Sequence, residues 1–104
     1  MATQQTRSTT FKVLDALDGP HGGRILRLRL VDGDTPSVRS LKGARLRAVS
    51  PDGDERYMKV EGFPSFGGRP SDERLSRTGR VDVHVLQEDA EAPAVGLQWQ
   101  VSFA

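Results

Sequence analysis

The sequence contains no cysteine. That absence removes disulfides, thiolate nucleophiles and cysteine-ligated zinc together, and it points to a cytoplasmic protein. No apolar run approaches the ~20 residues that a membrane span needs, so no membrane partner is expected. The opening stretch, MATQQTRSTT, is polar and lacks the hydrophobic segment of a signal peptide. We expect residues 1–8 to form a flexible tail and 9–104 a single domain. Charge of one sign is also scarce in the balance: 28% of residues are charged, yet the formal net charge is only +1. Overall charge therefore gives no attraction to nucleic acid, and only a local patch could supply one.

A chain of 104 residues with 36% hydrophobic content can bury one modest core, enough for a small barrel with a wet outer surface. The stretch Leu41–Phe63 organises it. Ala44, Leu46 and Ala48 alternate with Arg45 and Arg47, and after Pro51-Asp52-Gly53-Asp54 the residues Met58 and Val60 alternate with Tyr57, Lys59 and Glu61. Period two on both sides of a turn-forming tetrapeptide is a β-hairpin with one apolar and one charged face. A lone hairpin is unstable in water, so the rest of the chain must supply its partners.

The same alternation marks further strands. Thr9–Leu17 places Phe11 and Val13 on one side, and Arg24–Val31 places Leu26, Leu28 and Leu30 on one face with Arg27 and Arg29 on the other. Arg80–Leu86 points Val81, Val83 and Val85 inward, and Leu97–Phe103 aligns Leu97, Trp99, Val101 and Phe103. Pro36–Leu41 reads as a short extended piece, a possible seventh strand. Between the central hairpin and Arg80, Gly62–Gly79 breaks the alternation. Ser71 as N-cap, Asp72 and Glu73 in a first turn, Arg77 near the end and Gly79 as a stop predict one or two helical turns over 71–78. Six strands, or seven, with turn signals between them make an all-β barrel or sandwich.

Chemistry-bearing groups do not converge. The two histidines, His21 in a glycine loop and His84 on a strand, have no spacing that would hold zinc. Asp82 lies two residues before His84 on the same face, but no nucleophile is marked out beside them. The glycine loop Asp18–Gly23 precedes a strand and no Lys-Ser/Thr follows, so it lacks phosphate-cradle geometry. The triplets Asp32–Asp34 and Asp52–Asp54 lack the ligand series of a calcium loop. We expect neither enzyme activity nor a cofactor or metal.

Two binding surfaces are candidates. The loop Gly62–Gly79 carries Phe63, Phe66 and Arg69, which could contact a protein partner. The twelve arginines, against three lysines, include Arg27 and Arg29 on one strand and Arg45 and Arg47 on another. If those strands lie close, the four arginines and Lys59 form a basic face for RNA or other nucleic acid. The alternative is a solvated face balanced by Glu55, Glu61 and Asp82. Of the aromatics, only Tyr57 is interleaved with these arginines, so base stacking has little to work with.

The order of elements from Gly22 to Val85 resembles the β-barrel second domain of translational GTPases of the elongation factor Tu kind. The residues that carry the resemblance are Gly23-Arg24-Ile25-Leu26, Leu41-Lys42-Gly43-Ala44, Val60-Glu61-Gly62-Phe63 with Phe66, and Thr78-Gly79-Arg80-Val81. Ala44 and Arg80 stand where the family usually has acidic residues. The resemblance implies a closed six-stranded antiparallel barrel with Greek-key features. It also implies contacts to RNA or to other protein domains; with no P-loop in the chain, nucleotide hydrolysis is not expected. The expectation is a non-catalytic binding module for an unknown protein partner, with RNA binding as the alternative.

Overall fold

The computed structural model describes residues 8–19, 22–64 and 70–104. Six strands form a closed antiparallel barrel: β1 (Thr10–Asp18), β2 (Arg24–Asp32), β3 (Arg45–Val49), β4 (Glu55–Gly62), β5 (Arg80–Gln87) and β6 (Gln100–Phe103). Around the ring they run β1-β2-β5-β4-β3-β6. Strands β3, β4 and β5 follow one another as neighbours, and β6 returns through a long connection to lie beside β3. That order is a Greek key.

The alternation read from the sequence is the packing of the core. Phe11, Val13, Leu26, Leu28, Leu46, Met58, Val60, Val83 and Val101 are all buried inside the barrel. Their neighbours along each strand, such as Arg27, Arg29, Arg45 and Lys59, face out. Ring closure rests on β6, whose Val101 stands in register with Phe11 of β1 on one side and Ala48 of β3 on the other.

The central hairpin turns at Pro51–Asp54 as expected, but the side chain that fixes the turn is Ser50. Its Oγ accepts from the Asp54 amide at 2.9 Å and the Asp52 amide at 3.2 Å. The segment expected to be helical is α2 (Asp72–Thr78), with the Ser71 hydroxyl accepting from the Arg74 amide and Gly79 as C-cap in the left-handed region at φ 70°. The Gly79 amide donates to the Leu75 carbonyl, and Leu75 is buried beneath the helix. A left-handed cap is where glycine is favoured.

Two expectations are corrected. The Pro36–Leu41 segment is not a seventh strand. Val38–Leu41 forms a one-turn helix, α1, capped by the Ser37 hydroxyl, which accepts from the Ser40 amide, and anchored by fully buried Leu41. Asp72 completes it: its Oδ1 accepts from the Val38 amide at 2.7 Å, so the first-turn acid of α2 also holds the start of α1. The last strand is also shorter than Leu97–Phe103. Gln98 takes φ 70°, which breaks the alternation before Trp99. Leu97 is 56% exposed, and Val95, from the preceding loop, is the buried residue instead. Gln87 and Arg56 tie that loop down by donating to the carbonyls of Ala92 and Pro93.

Two stability outcomes follow and can be read by urea unfolding. Val101→Ala removes fully buried methyl groups at the closure and should cost about 2 kcal/mol, whereas Phe103→Ala, on the same strand but partly exposed, should cost less despite deleting a larger side chain. Gly79→Ala should cost about 1 kcal/mol through its positive φ alone, because an added Cβ would meet nothing closer than Leu30 Cβ at 3.6 Å. Gly23→Ala should cost more, since its Cβ would also run into the Val85 carbonyl oxygen.

Candidate functional site

Ring order decides which charges meet. Strands β2 and β3 are separated by two strands in either direction round the barrel. Arg27 and Arg29 therefore stand on the opposite wall from Arg45 and Arg47, and the four do not make one basic face. Arg27 Nε donates to Asp82 Oδ1 at 3.2 Å across the β2–β5 ladder. This hydrogen bond, and then the Asp82 charge, raises the Arg27 pKa further above its ordinary value.

On the other wall, Arg45 donates to both carboxylate oxygens of Glu88, at 2.7 and 3.0 Å, while its guanidinium lies over the Tyr57 ring at 4.2 Å. Arg47 is hydrogen-bonded to Glu55. Lys59 sits directly opposite Arg45 in the β3–β4 register and is exposed. Of the acids expected to balance this surface, Asp82 and Glu55 do so. Glu61 makes no ion pair among the described residues. Glu88, in the loop after β5, is a partner that alternation could not reveal, because its position depends on how β5 leads into that loop.

Asp82 and His84, neighbours on one face of β5, are engaged separately: Asp82 with Arg27, and His84 Nε2 with the Gly22 carbonyl oxygen at 2.9 Å. No group of three or more histidine or acidic side chains able to hold a metal occurs among the described residues.

The cavity of interest lies where α2 covers the β2–β5 wall. It measures about 430 Å³. Apolar lining comes from Val38 of α1, Phe63 and Pro64 after β4, Pro70, and Leu75 of α2. Arg27, Arg74 and Arg80 line it as well, with Thr78 and Asp82. Phe63 is half-buried and packs against the barrel core, so it is both a plug and a wall of the cavity. Phe66 and Arg69 lie outside the described residues. Sequence reasoning singled out the loop but missed Val38, Arg74 and Arg80 as lining, since only the docking of α1 and α2 brings them together. A second cavity, about 270 Å³, lies beside Arg24, Met58 and the Ala90–Val95 loop.

Comparison of this chain with protein-family models, with curated proteins and with solved structures finds no match.

The Arg45–Glu88 pair carries a pH signature. The hydrogen bonds from Arg45 hold the Glu88 pKa below its ordinary value, more than offsetting desolvation. A depressed folded-state pKa contributes stability above the unfolded-state value and loses it as pH falls through the folded-state value. A carbon-13 titration of the Glu88 carboxyl should therefore show a midpoint below the usual 4.5. Arg45→Ala should return it to the usual value, and added salt should reduce the shift because both groups are exposed.

Proposed function

We propose that this protein is a non-catalytic binding module that holds a segment of a partner protein in the cavity between α2 and the β2–β5 wall. The observation that carries the reading is the make-up of that cavity: about 430 Å³, walled by Val38, Phe63 and Leu75 and edged by arginine. Concave sites that place polar and charged groups beside apolar walls are where proteins take ligands. Phe63, Pro64, Pro70, Arg74 and Thr78 of its lining belong to Gly62–Gly79, the longest non-strand stretch between two strands of the sequence.

RNA binding through Arg27, Arg29, Arg45, Arg47 and Lys59 is the second reading, and it has less support. Arg27, Arg45 and Arg47 each hold a carboxylate, and the pairs lie on opposite walls. A phosphate would have to displace those carboxylates. The barrel resemblance to translational GTPase domains supports either kind of contact and chooses neither.

A photo-crosslinking amino acid placed at position 74, in cells expressing the chain at its native level, should give a discrete protein adduct. The same probe at position 52, in the hairpin turn, should give none. An adduct from position 47 that is sensitive to ribonuclease, with none from position 74, would transfer the assignment to RNA.

A further inference from the structure

One rung of the barrel's outer surface carries charge of a single sign. In the β1–β2 ladder Lys12 is paired with Arg29, and in the β2–β5 ladder Arg29 is paired with Arg80. Three cations thus stand side by side across three adjacent strands. The rung beside it is different: Asp15, Arg27 and Asp82 are paired across the same strands and alternate in sign. Like charges directly opposite one another in a ladder are destabilising. Arg29 and Arg80 are exposed, Lys12 is half-buried, and none of the three makes an ion pair among the described residues. The fold therefore compensates one rung internally and leaves its neighbour uncompensated.

The rung is continuous with the cavity. Arg80 belongs to both, while Arg27, also in the cavity lining, is held by Asp82. Neighbouring strands lie about 4.8 Å apart, so the three cations span roughly 10 Å across the strands. An extended peptide presents every second side chain on the same face, about 6.8 Å apart, so acidic residues at alternate positions lie within reach of neighbouring Lys and Arg side chains of the rung. The aromatic rings Phe63 and Trp99 pack against the core and do not stand in the rung, so stacking of nucleic-acid bases has no platform in it.

We propose that the Lys12–Arg29–Arg80 rung recognises the acidic side chains of an extended partner peptide, one of whose apolar side chains enters the adjoining cavity. This names the partner's chemistry, and it rests on the cavity reading given above. Charge complementarity fixes the register of the peptide, and the cavity supplies desolvation that an exposed charge row lacks.

The test is selection of a random twelve-residue peptide library displayed on phage, against the wild-type chain and against Arg29→Gln/Arg80→Gln. The double variant should melt at or above the wild-type temperature, since it relieves a like-charge pair. Melting below it would show that the arginines have structural partners and would overturn the proposal. The wild-type chain should enrich peptides that carry Asp or Glu beside an apolar residue. The double variant should bind them at least roughly tenfold more weakly, as expected for losing charge-assisted hydrogen bonds. Enrichment of neutral apolar peptides that bind both proteins equally would overturn the acidic recognition and leave the cavity reading standing. No enrichment by the wild-type chain would remove both. A labelled twelve-nucleotide oligouridine that bound the rung more tightly than the best peptide would overturn the proposal in favour of nucleic acid.

Discussion

Four residues close the barrel. Gln100–Phe103 form hydrogen-bonded ladders with Thr10–Lys12 on one side and Leu46–Val49 on the other. Without them β1 and β3 would be open edges, exposing unpaired backbone groups on two strands that flank the core. The interior side of this joint is Val101 between Phe11 and Ala48. All three side chains are buried, so the joint is sealed on its interior side as well as by its ladders. The joint is also the thinnest part of the wall. Strands β3 and β6 have five and four residues, whereas β1, β2, β4 and β5 have eight or nine. The ring order sets β6 directly across from β5. The cavity sits on the long-stranded β2–β5 wall, away from the joint, whereas the cationic rung runs from that wall to the joint itself at Lys12, which pairs with Gln100 of β6.

Closure also governs the electrostatics. Alternation along a strand decides whether an arginine faces in or out, and that much follows from composition at period two. Which outward arginines meet depends on the order of strands round the ring, and here the order places β2 and β3 across the barrel from each other. Arg27 and Arg45 consequently find separate acids: Asp82 from the adjacent strand, and Glu88 from the loop after β5. A formal net charge of +1 therefore conceals both local neutralisation and one uncompensated rung.

Features legible in the sequence are those set within a few residues. The hairpin faces around Met58 and Val60, and the caps of α2 at Ser71 and Gly79, depend on side chains bonding their own neighbourhood. What sequence reading missed is tertiary in origin. Pro36–Leu41 has no long period to betray a helix, and α1 exists because Ser37 caps it, Leu41 is buried and Asp72 of α2 accepts the Val38 amide. Likewise the run from Leu97 to Phe103 alternates perfectly on paper. Gln98 at positive φ turns Leu97 outward, and Val95 fills the core position that the loop reaches. The cavity was legible only as a long irregular loop, because its walls come from four separated parts of the chain.

The contact between Asp72 and Val38 joins separated parts of the chain. It fastens α1 to α2, and with them Val38 and Leu75 to the same cavity wall. Asp72 is exposed and sits in a first turn, where an acid would already be favoured by the helix dipole; its bond to a backbone amide of another helix is a second role for the same charge. The helices rest on β2 and β5 through the Gly79 carbonyl, which accepts from the Leu30 amide at 2.6 Å. That bond meets β2 one residue beyond Arg29, and the following residue on the helix side is Arg80. The turn that stops α2 is therefore the same turn that starts the cationic position on β5, so cavity and rung are fixed in relation to each other by a single short stretch of backbone. A recess lined by both apolar and charged side chains and a positive row are thus held together by Gly79 and Arg80 as one surface.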